Sequence, residues 1–193
     1  MKLLRSWPTH IPEGRSYVVD AIPRLLMSQL DYRPPLEAME PDDVLLIEWD
    51  IAVGKHELLV FAERARDSPE QILVAPYRIY RGEKYSDLGQ DMWAHRHWDG
   101  TADPPGSTFP RFGGWQPVMT GEPTANLFGF GLIYLPRELI SAFMASNFSN
   151  LFGDAQFGMW HYTNVAKEVP IAWECPAVHL NYEIEVEGAP FCP

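Results

Sequence analysis

Glu48-Trp49-Asp50 is the stretch of this 193-residue chain whose residue types and spacing most directly suggest chemistry. The two carboxylates follow the apolar run Val44-Leu45-Leu46-Ile47, so they stand where a buried strand ends. Side chains alternate in extended chain, which would direct Glu48 and Asp50 to the same side of the backbone. Two converging carboxylates are costly unless a positive charge lies between them. A divalent cation that also carries a substrate phosphate meets that need. The plainer alternative makes Asp50 a cap for the next segment and Glu48 a solvated strand end.

Other side chains offer compatible chemistry, each with a structural alternative. Arg78, Arg81 and Arg137 present guanidinium groups that match phosphate geometry, although solvated surface arginines are common. Trp93, Trp98, Trp115 and Trp160 could stack on sugar or base faces or simply fill a core. Gly129 and Gly131 could let a sugar approach the backbone or could be packing glycines in a strand. His95 and His97 alternate in a loop and could form a metal pair. Asp154 stands at the start of a helical stretch, where an N-cap role is available to it. His179 is a lone histidine in a strand, more often a core or surface residue than a ligand.

Composition narrows the classes. A net charge of −11 opposes a broad nucleic-acid footprint, because phosphate backbones would be repelled. Cys175 and Cys192 are the only cysteines, which gives neither a disulfide framework nor a zinc spacing, and points to reduced thiols in the cytoplasm. The basic start Met1-Lys2-Leu3-Leu4-Arg5 lacks the apolar stretch of a signal peptide. No segment reaches membrane-spanning length. The length suits a single domain over residues 1–193.

These residues need elements to position them. Residues 1–16 read as polar and Pro-interrupted, Ser16 to Asp20 as a short strand, and Ala21 to Leu30 as a short helix that Arg33-Pro34-Pro35 breaks. Val44 to Ile47 is expected as a strand buried on both faces. Lys55 to Arg66 has Leu58, Leu59, Ala62 and Ala65 on one helical stripe. Ile72 to Tyr77 follows as a strand, so strand, helix and strand form a βαβ unit with parallel neighbouring strands. Arg81 to Asn126 is long and weakly periodic, rich in Gly, Pro and aromatics. A strand over Phe130 to Leu135 and a helix from Pro136 to about Asn147 come next. Asp154 to Thr163 reads as a short helix, and Val169 to Trp173 and Val178 to Ile184 as strands.

In this order the pieces resemble the nucleotide-sugar glycosyltransferases of the GT-A fold. Val44 to Asp50 is similar to the family's strand ending in the acid-x-acid triplet, and the following helix and Ile72 to Tyr77 strand match in order. Phe128-Gly129-Phe130-Gly131-Leu132-Ile133-Tyr134-Leu135-Pro136-Arg137 resembles the glycine-containing strand before the acceptor-side helix. Phe152-Gly153-Asp154-Ala155-Gln156-Phe157 resembles the acidic motif that supplies the base. Val178-His179-Leu180 resembles the late strand whose histidine completes the metal site. The resemblance spans residues 44–182. It departs from the family at the front, where only 47 residues precede Glu48 and at least one βα unit is expected to be absent or shortened. Tyr17-Val18-Val19-Asp20 is the candidate remnant of the nucleotide-binding start.

The resemblance implies a GT-A-like, three-layer α/β domain with a mixed, mostly parallel central sheet. It implies transfer of a sugar from a nucleoside-diphosphate donor to an acceptor hydroxyl, by direct displacement with inversion. Glu48, Asp50 and His179 would hold Mn²⁺ or Mg²⁺, with imidazole favouring Mn²⁺. Asp154 would be the base, Arg78 and Arg137 would contact the diphosphate, and Gly129, Gly131, Trp93, Trp115 and Trp160 would meet sugar or acceptor. The acceptor is open among glycan, metabolite, protein and, disfavoured by the charge, a modified DNA base. Three other classes stand beside this one: a non-catalytic nucleotide- or carbohydrate-binding module of the same fold, a metal-independent glycoside hydrolase, and an acidic interaction protein.

Overall fold

A computed structural model describes residues 1–8, 24–27, 31–48, 51–79, 92–98, 115–148 and 152–179. In chain order its strands are β1 (Lys2–Pro8), β2 (Arg24–Met27), β3 (Val44–Ile47), β4 (Ile51–Ala52), β5 (Leu73–Val74), β6 (Tyr77–Ile79), β7 (Met92–Trp93), β8 (Arg96–Trp98), β9 (Trp115–Pro117), β10 (Thr124–Ala125), β11 (Leu132–Leu135), β12 (Val169–Pro170) and β13 (Ala177–His179). The helices are α1 (Arg33–Glu37), α2 (Lys55–Asp67), α3 (Arg137–Ala145) and α4 (Asp154–Asn164).

The run of four apolar residues in β3 is buried throughout, because the strand lies inside a sheet covered on both faces. Val44 and Leu46 pack with Leu36 of α1, Ile140 and Phe143 of α3, and Phe157 and Trp160 of α4. Leu45 and Ile47 pack on the opposite face with Phe61 and Ala65 of α2. The pleat thus divides one strand between two cores, giving a helix layer on each side of the sheet.

This sheet runs β2-β1-β3-β11-β5. β1 is parallel to β2 and to β3, whereas β11 is antiparallel to β3 and to β5. β11 alone therefore opposes the direction of the other strands. A second sheet, β4-β13-β6-β7, is mixed: β13 pairs antiparallel with β4 and parallel with β6, and β6 pairs antiparallel with β7. The fold is α/β with mixed sheets.

Several sequence expectations are corrected here. β3 and β5 are parallel but not neighbours, because β11 lies between them and pairs with both. The stretch Ile72 to Tyr77 is not one strand: the chain leaves the central sheet after Val74, and Tyr77 enters the second sheet beyond Pro76, a residue with no N–H for a ladder. Part of the front stretch read as polar and Pro-interrupted forms β1, and the expected helix over Ala21 to Leu30 contains β2 instead. Strand pairing supplies both with partners that helical spacing alone could not anticipate. Pro34 and Pro35 do not break a helix; they occupy the first turn of α1, where no intrahelical N–H is needed. The central sheet therefore has two strands ahead of β3 in the chain. The segment Tyr17 to Asp20 lies outside the described residues. Among the described residues no helix is long and apolar enough to cross a membrane.

Candidate functional site

The chain ceases to be extended at Glu48. Its own N–H donates to the carbonyl of Gly131 (2.8 Å), and the N–H of Ile51 returns to the carbonyl of Glu48 (3.1 Å). Trp49 and Asp50 themselves lie outside the described residues.

The second sheet brings His179 to this turn. In the ladder between β13 and β4, His179 is the direct partner of Ile51, the residue that follows the acidic triplet. Its half-buried ring stacks on Tyr77, with centroids 5.9 Å apart and planes 10° from parallel. Tyr77 in turn covers Gly129 and Gly131. A Cβ on Gly131 would stand 2.5 Å from Cε1 and 2.8 Å from Cδ1 of Tyr77, and one on Gly129 would meet the phenol oxygen. Both glycines are thus explained by this ring, and the expectation that a sugar lies against them is corrected. Tyr77 is the residue that sequence reasoning missed: two small residues flanking Phe130 signal a close approach, but nothing local says what approaches.

The Tyr77 ring is confined by His179 on one face and by the edge-on ring of His95 at 5.5 Å. Gly131→Ala should therefore cost about 1–3 kcal/mol, the range for overpacking a filled interior. Urea denaturation measures this directly. Combination with Tyr77→Ala should recover part of the loss, because the clash is then removed. A Gly131→Ala protein as stable as its parent would contradict this packing.

From the other side of the sheet, Tyr32 reaches the same turn. Its hydroxyl donates to Oε1 of Glu48, and its buried ring meets Phe130 edge-on at 5.0 Å. Its backbone N–H donates to the carbonyl of Phe152 (2.9 Å). Oδ1 of Asp31 accepts from the N–H groups of Phe152 and Arg33, both at 3.0 Å. Phe152-Gly153 leads into α4, whose N-cap is Gly153, so Asp154 is the exposed first helical residue and not the cap. A carboxylate there is favoured by the helix dipole. The start of α4 is held down by stacked and edge-on rings: Phe143 lies 4.7 Å from Phe152 and 5.3 Å from Phe157, and Phe152 lies 4.9 Å from Phe157. Such pairs add about 0.5–1.5 kcal/mol each beyond burial.

Glu48, Gly131, His179 and the segment leading to Asp154 thus gather at the end of the central sheet where β3 finishes. Arg137 does not join them. It follows β11 at the opposite end, where Nε donates to the carbonyl of Asp42 (2.9 Å), Nη2 to that of Leu36 (3.0 Å), and its backbone N–H to Asp43 (2.9 Å). Its expected diphosphate contact is corrected to a role in fastening α1 and the start of β3. Trp160 is 5% exposed and stacks on Phe157 at 5.6 Å, so it is core and not a sugar platform. Arg78 is exposed and lies over Trp93, 4.8 Å from the ring centre, while Trp93 donates to Thr120 (3.0 Å) and abuts Trp173. His95 and His97 form no metal pair. His95 is fully buried and its Nε2 donates to the carbonyl of Ala75 (2.7 Å), whereas Nε2 of His97 meets Glu122 (3.0 Å). Burial pushes His95 down to about 4, which keeps it neutral. The side chains of Trp115 and Arg81 lie outside the described residues.

Among the described residues no three His, Cys, Asp or Glu side chains form a group able to hold a metal. Glu48 and His179 both border the turn between β3 and β4, but the Glu48 carboxylate is engaged by Tyr32, which belongs to one core, and the His179 ring by Tyr77, which belongs to the other.

No family model and no curated protein matches this chain. Among solved structures it is similar to A197 from STIV, with 13% identity, a TM-score of 0.52, and coverage of 95% of this chain and 87% of that one. At that identity the likeness concerns the fold.

Proposed function

We propose that this chain is a metal-assisted glycosyltransferase of GT-A type, moving a sugar from a nucleoside diphosphate to an acceptor hydroxyl. One observation carries the proposal: His179, from the last described strand, sits directly across from Ile51, which is bonded to Asp50. The sequence places those residues more than a hundred positions apart, and the ladder between β13 and β4 makes them neighbours. A mixed central sheet with an acid ending β3 supports the same reading, since open α/β sheets bind ligands beyond the carboxyl ends of their parallel strands.

Asp50, Glu48 and His179 would hold the cation. A divalent ion there offsets the negative charge that builds on a departing diphosphate. Asp154, exposed at the start of α4, would accept the proton of the acceptor hydroxyl as its oxygen attacks the anomeric carbon. The bond from that carbon to the diphosphate breaks as the new one forms, and the centre inverts. Arg78 and Trp93 remain candidates for donor or acceptor contact.

Thermal denaturation with Mn²⁺ and UDP- or GDP-sugars tests this. Binding to the native state alone should raise the melting temperature with concentration, by about 2.7 kcal/mol of stabilisation at a hundredfold excess over Kd. Asp50→Ala and His179→Ala should each remove the metal-dependent part. No response to any donor with Mn²⁺ in the parent protein would dispose of the proposal. Catalysis that persists in excess chelator would favour a hydrolase.

A second reading, a binding module of the same fold without turnover, is favoured by the ring of Tyr77, which fills the surface over Gly129 and Gly131 expected for an acceptor.

A further inference from the structure

The second sheet turns an open face to solvent. Ala52, Val178, Arg78 and Trp93 are direct partners across β4, β13, β6 and β7, so one row of side chains crosses all four strands on one face. The alternate residues point the other way: Ile51, Ala177 and Tyr77 are buried in the core shared with α2. Val178 is 61% exposed although its strand lies inside the sheet, and Arg78 beside it is exposed. The row carries one charge, a cation. The Arg78 guanidinium lies over the Trp93 ring, and the Trp93 ring meets that of Trp173 edge-on, their centres 4.8 Å apart.

Both indoles are held by one turn over residues 119–122. Trp93 donates its ring N–H to Oγ1 of Thr120 (3.0 Å), and Trp173 donates to the carbonyl of Glu122. The turn closes through the N–H of Glu122 and the carbonyl of Met119 (3.1 Å), with Gly121 at φ +89°. Fixed rings back the cation before a ligand arrives, which lowers the ordering cost of binding. A guanidinium of this kind presents a planar fork of N–H donors that matches a carboxylate. Val178 and the open part of Trp93 offer apolar surface beside it for the C–H face of a ring. A sugar acid has both parts. The overall charge of −11 repels polyanions and so favours a ligand with a single anionic group.

We propose that the outer face of the second sheet binds a sugar residue carrying one carboxylate, with Arg78 taking the anion and Val178 and Trp93 taking the ring. The surface needs neither a cation nor turnover. It goes beyond the transfer reaction above and suits an enzyme or a binding module equally.

The test titrates methyl glucuronide into the full chain, without metal or nucleotide sugar, and follows the indole N–H signals of Trp93 and Trp173 by heteronuclear NMR. Trp93→Phe and Trp173→Phe assign the two signals. The glucuronide should move the Trp93 signal to saturation. Methyl glucoside, which lacks the carboxylate, and acetate, which lacks the ring, should each bind about tenfold more weakly or worse. Arg78→Gln should weaken the glucuronide by a similar factor and leave the melting temperature near that of the parent. Should Arg78→Gln fold poorly, Val178→Asp replaces it: this change at an exposed position sets a like charge beside the carboxylate and should also abolish the shift. The absence of a saturable shift in the parent protein overturns the proposal. Equal affinity for acetate makes the face a plain anion site, and equal affinity for the glucoside leaves Arg78 without a role; either result overturns it. Tighter binding of uridine monophosphate at the same signal identifies a nucleotide surface and overturns it as well. None of these outcomes involves Mn²⁺ or a donor, so the sugar-transfer reading stands or falls by its own experiment.

Discussion

On the proposed sugar-transfer reading, Asp154→Asn should lower turnover by about 10²–10⁴-fold while leaving donor binding nearly intact. The substitution is close to isosteric and keeps a polar group at the first position of α4, where Asp154 is exposed and Gly153 already serves as the cap. The helix should lose only the few tenths of a kcal/mol that a carboxylate gains near an N-terminus. What disappears is the ability to take a proton. General base catalysis contributes about 10²–10⁴-fold, so turnover should fall by that factor. The thermal shift produced by a UDP- or GDP-sugar with Mn²⁺ should persist, since no metal ligand is changed. Turnover that survives Asp154→Asn unaltered would remove Asp154 as the base. A parent protein that binds donor but never turns over would instead establish the binding module.

Acid should destabilise the fold well before the carboxylates titrate. His95 and His161 are both buried, and burial pushes each down to about 4 from the ordinary value of 6.5. Burial penalises the charged form, so both are neutral in the folded protein. In the unfolded chain each titrates near 6.5. As pH falls from 6.5 toward 4 the unfolded chain takes up protons that the folded chain refuses, and the equilibrium moves toward unfolding. Stability is complete above about pH 6.5 and declines steadily below it. For His95 alone the loss by pH 4 is about 3 kcal/mol, and His161 adds to it in the same direction. Against a typical total of about 5–15 kcal/mol this is a large fraction. Asp42, held low by its hydrogen bond from Lys2, and Glu122, held low by the N–H of Met119, enter only at more acid pH. Urea midpoints between pH 7 and 4.5 should fall progressively, and His95→Gln should flatten part of that slope. A midpoint unchanged across the interval would contradict the neutral, buried state of these rings.

The parts of the fold that were legible in the sequence are those whose signal is local. Four consecutive apolar residues at β3, the apolar spacing of α2, and Pro136 opening α3 each carry their own pattern, and each element forms where that pattern lies, although in α2 Leu59 of the expected stripe is exposed and Phe61 is buried in its place. β1 and β2 carry no such pattern, because their stability comes from pairing with each other and with β3. The place of β11 was equally hidden: its apolar residues declare a strand, but nothing in them says that it divides β3 from β5. The same contrast holds in the candidate site. The acids and His179 stand out by type and by order along the chain. Tyr32 and Tyr77 do not, since an aromatic residue shows its purpose only through what it touches. Gly131 and Arg137 were misassigned for the same reason, one answering to a ring from β6 and the other to carbonyl groups of α1 and the turn before β3.

The insertion of β11 between β3 and β5 has a consequence for biogenesis. While the chain emerges from the ribosome, β3 and β5 are both synthesised long before the strand that joins them. Until Leu132 to Leu135 arrives, each exposes an edge of unsatisfied backbone groups and apolar side chains, the features that promote pairing with foreign strands. The nascent protein must therefore wait for a distant segment to seal its middle, and a message truncated before that codon stretch would release a polypeptide prone to aggregate.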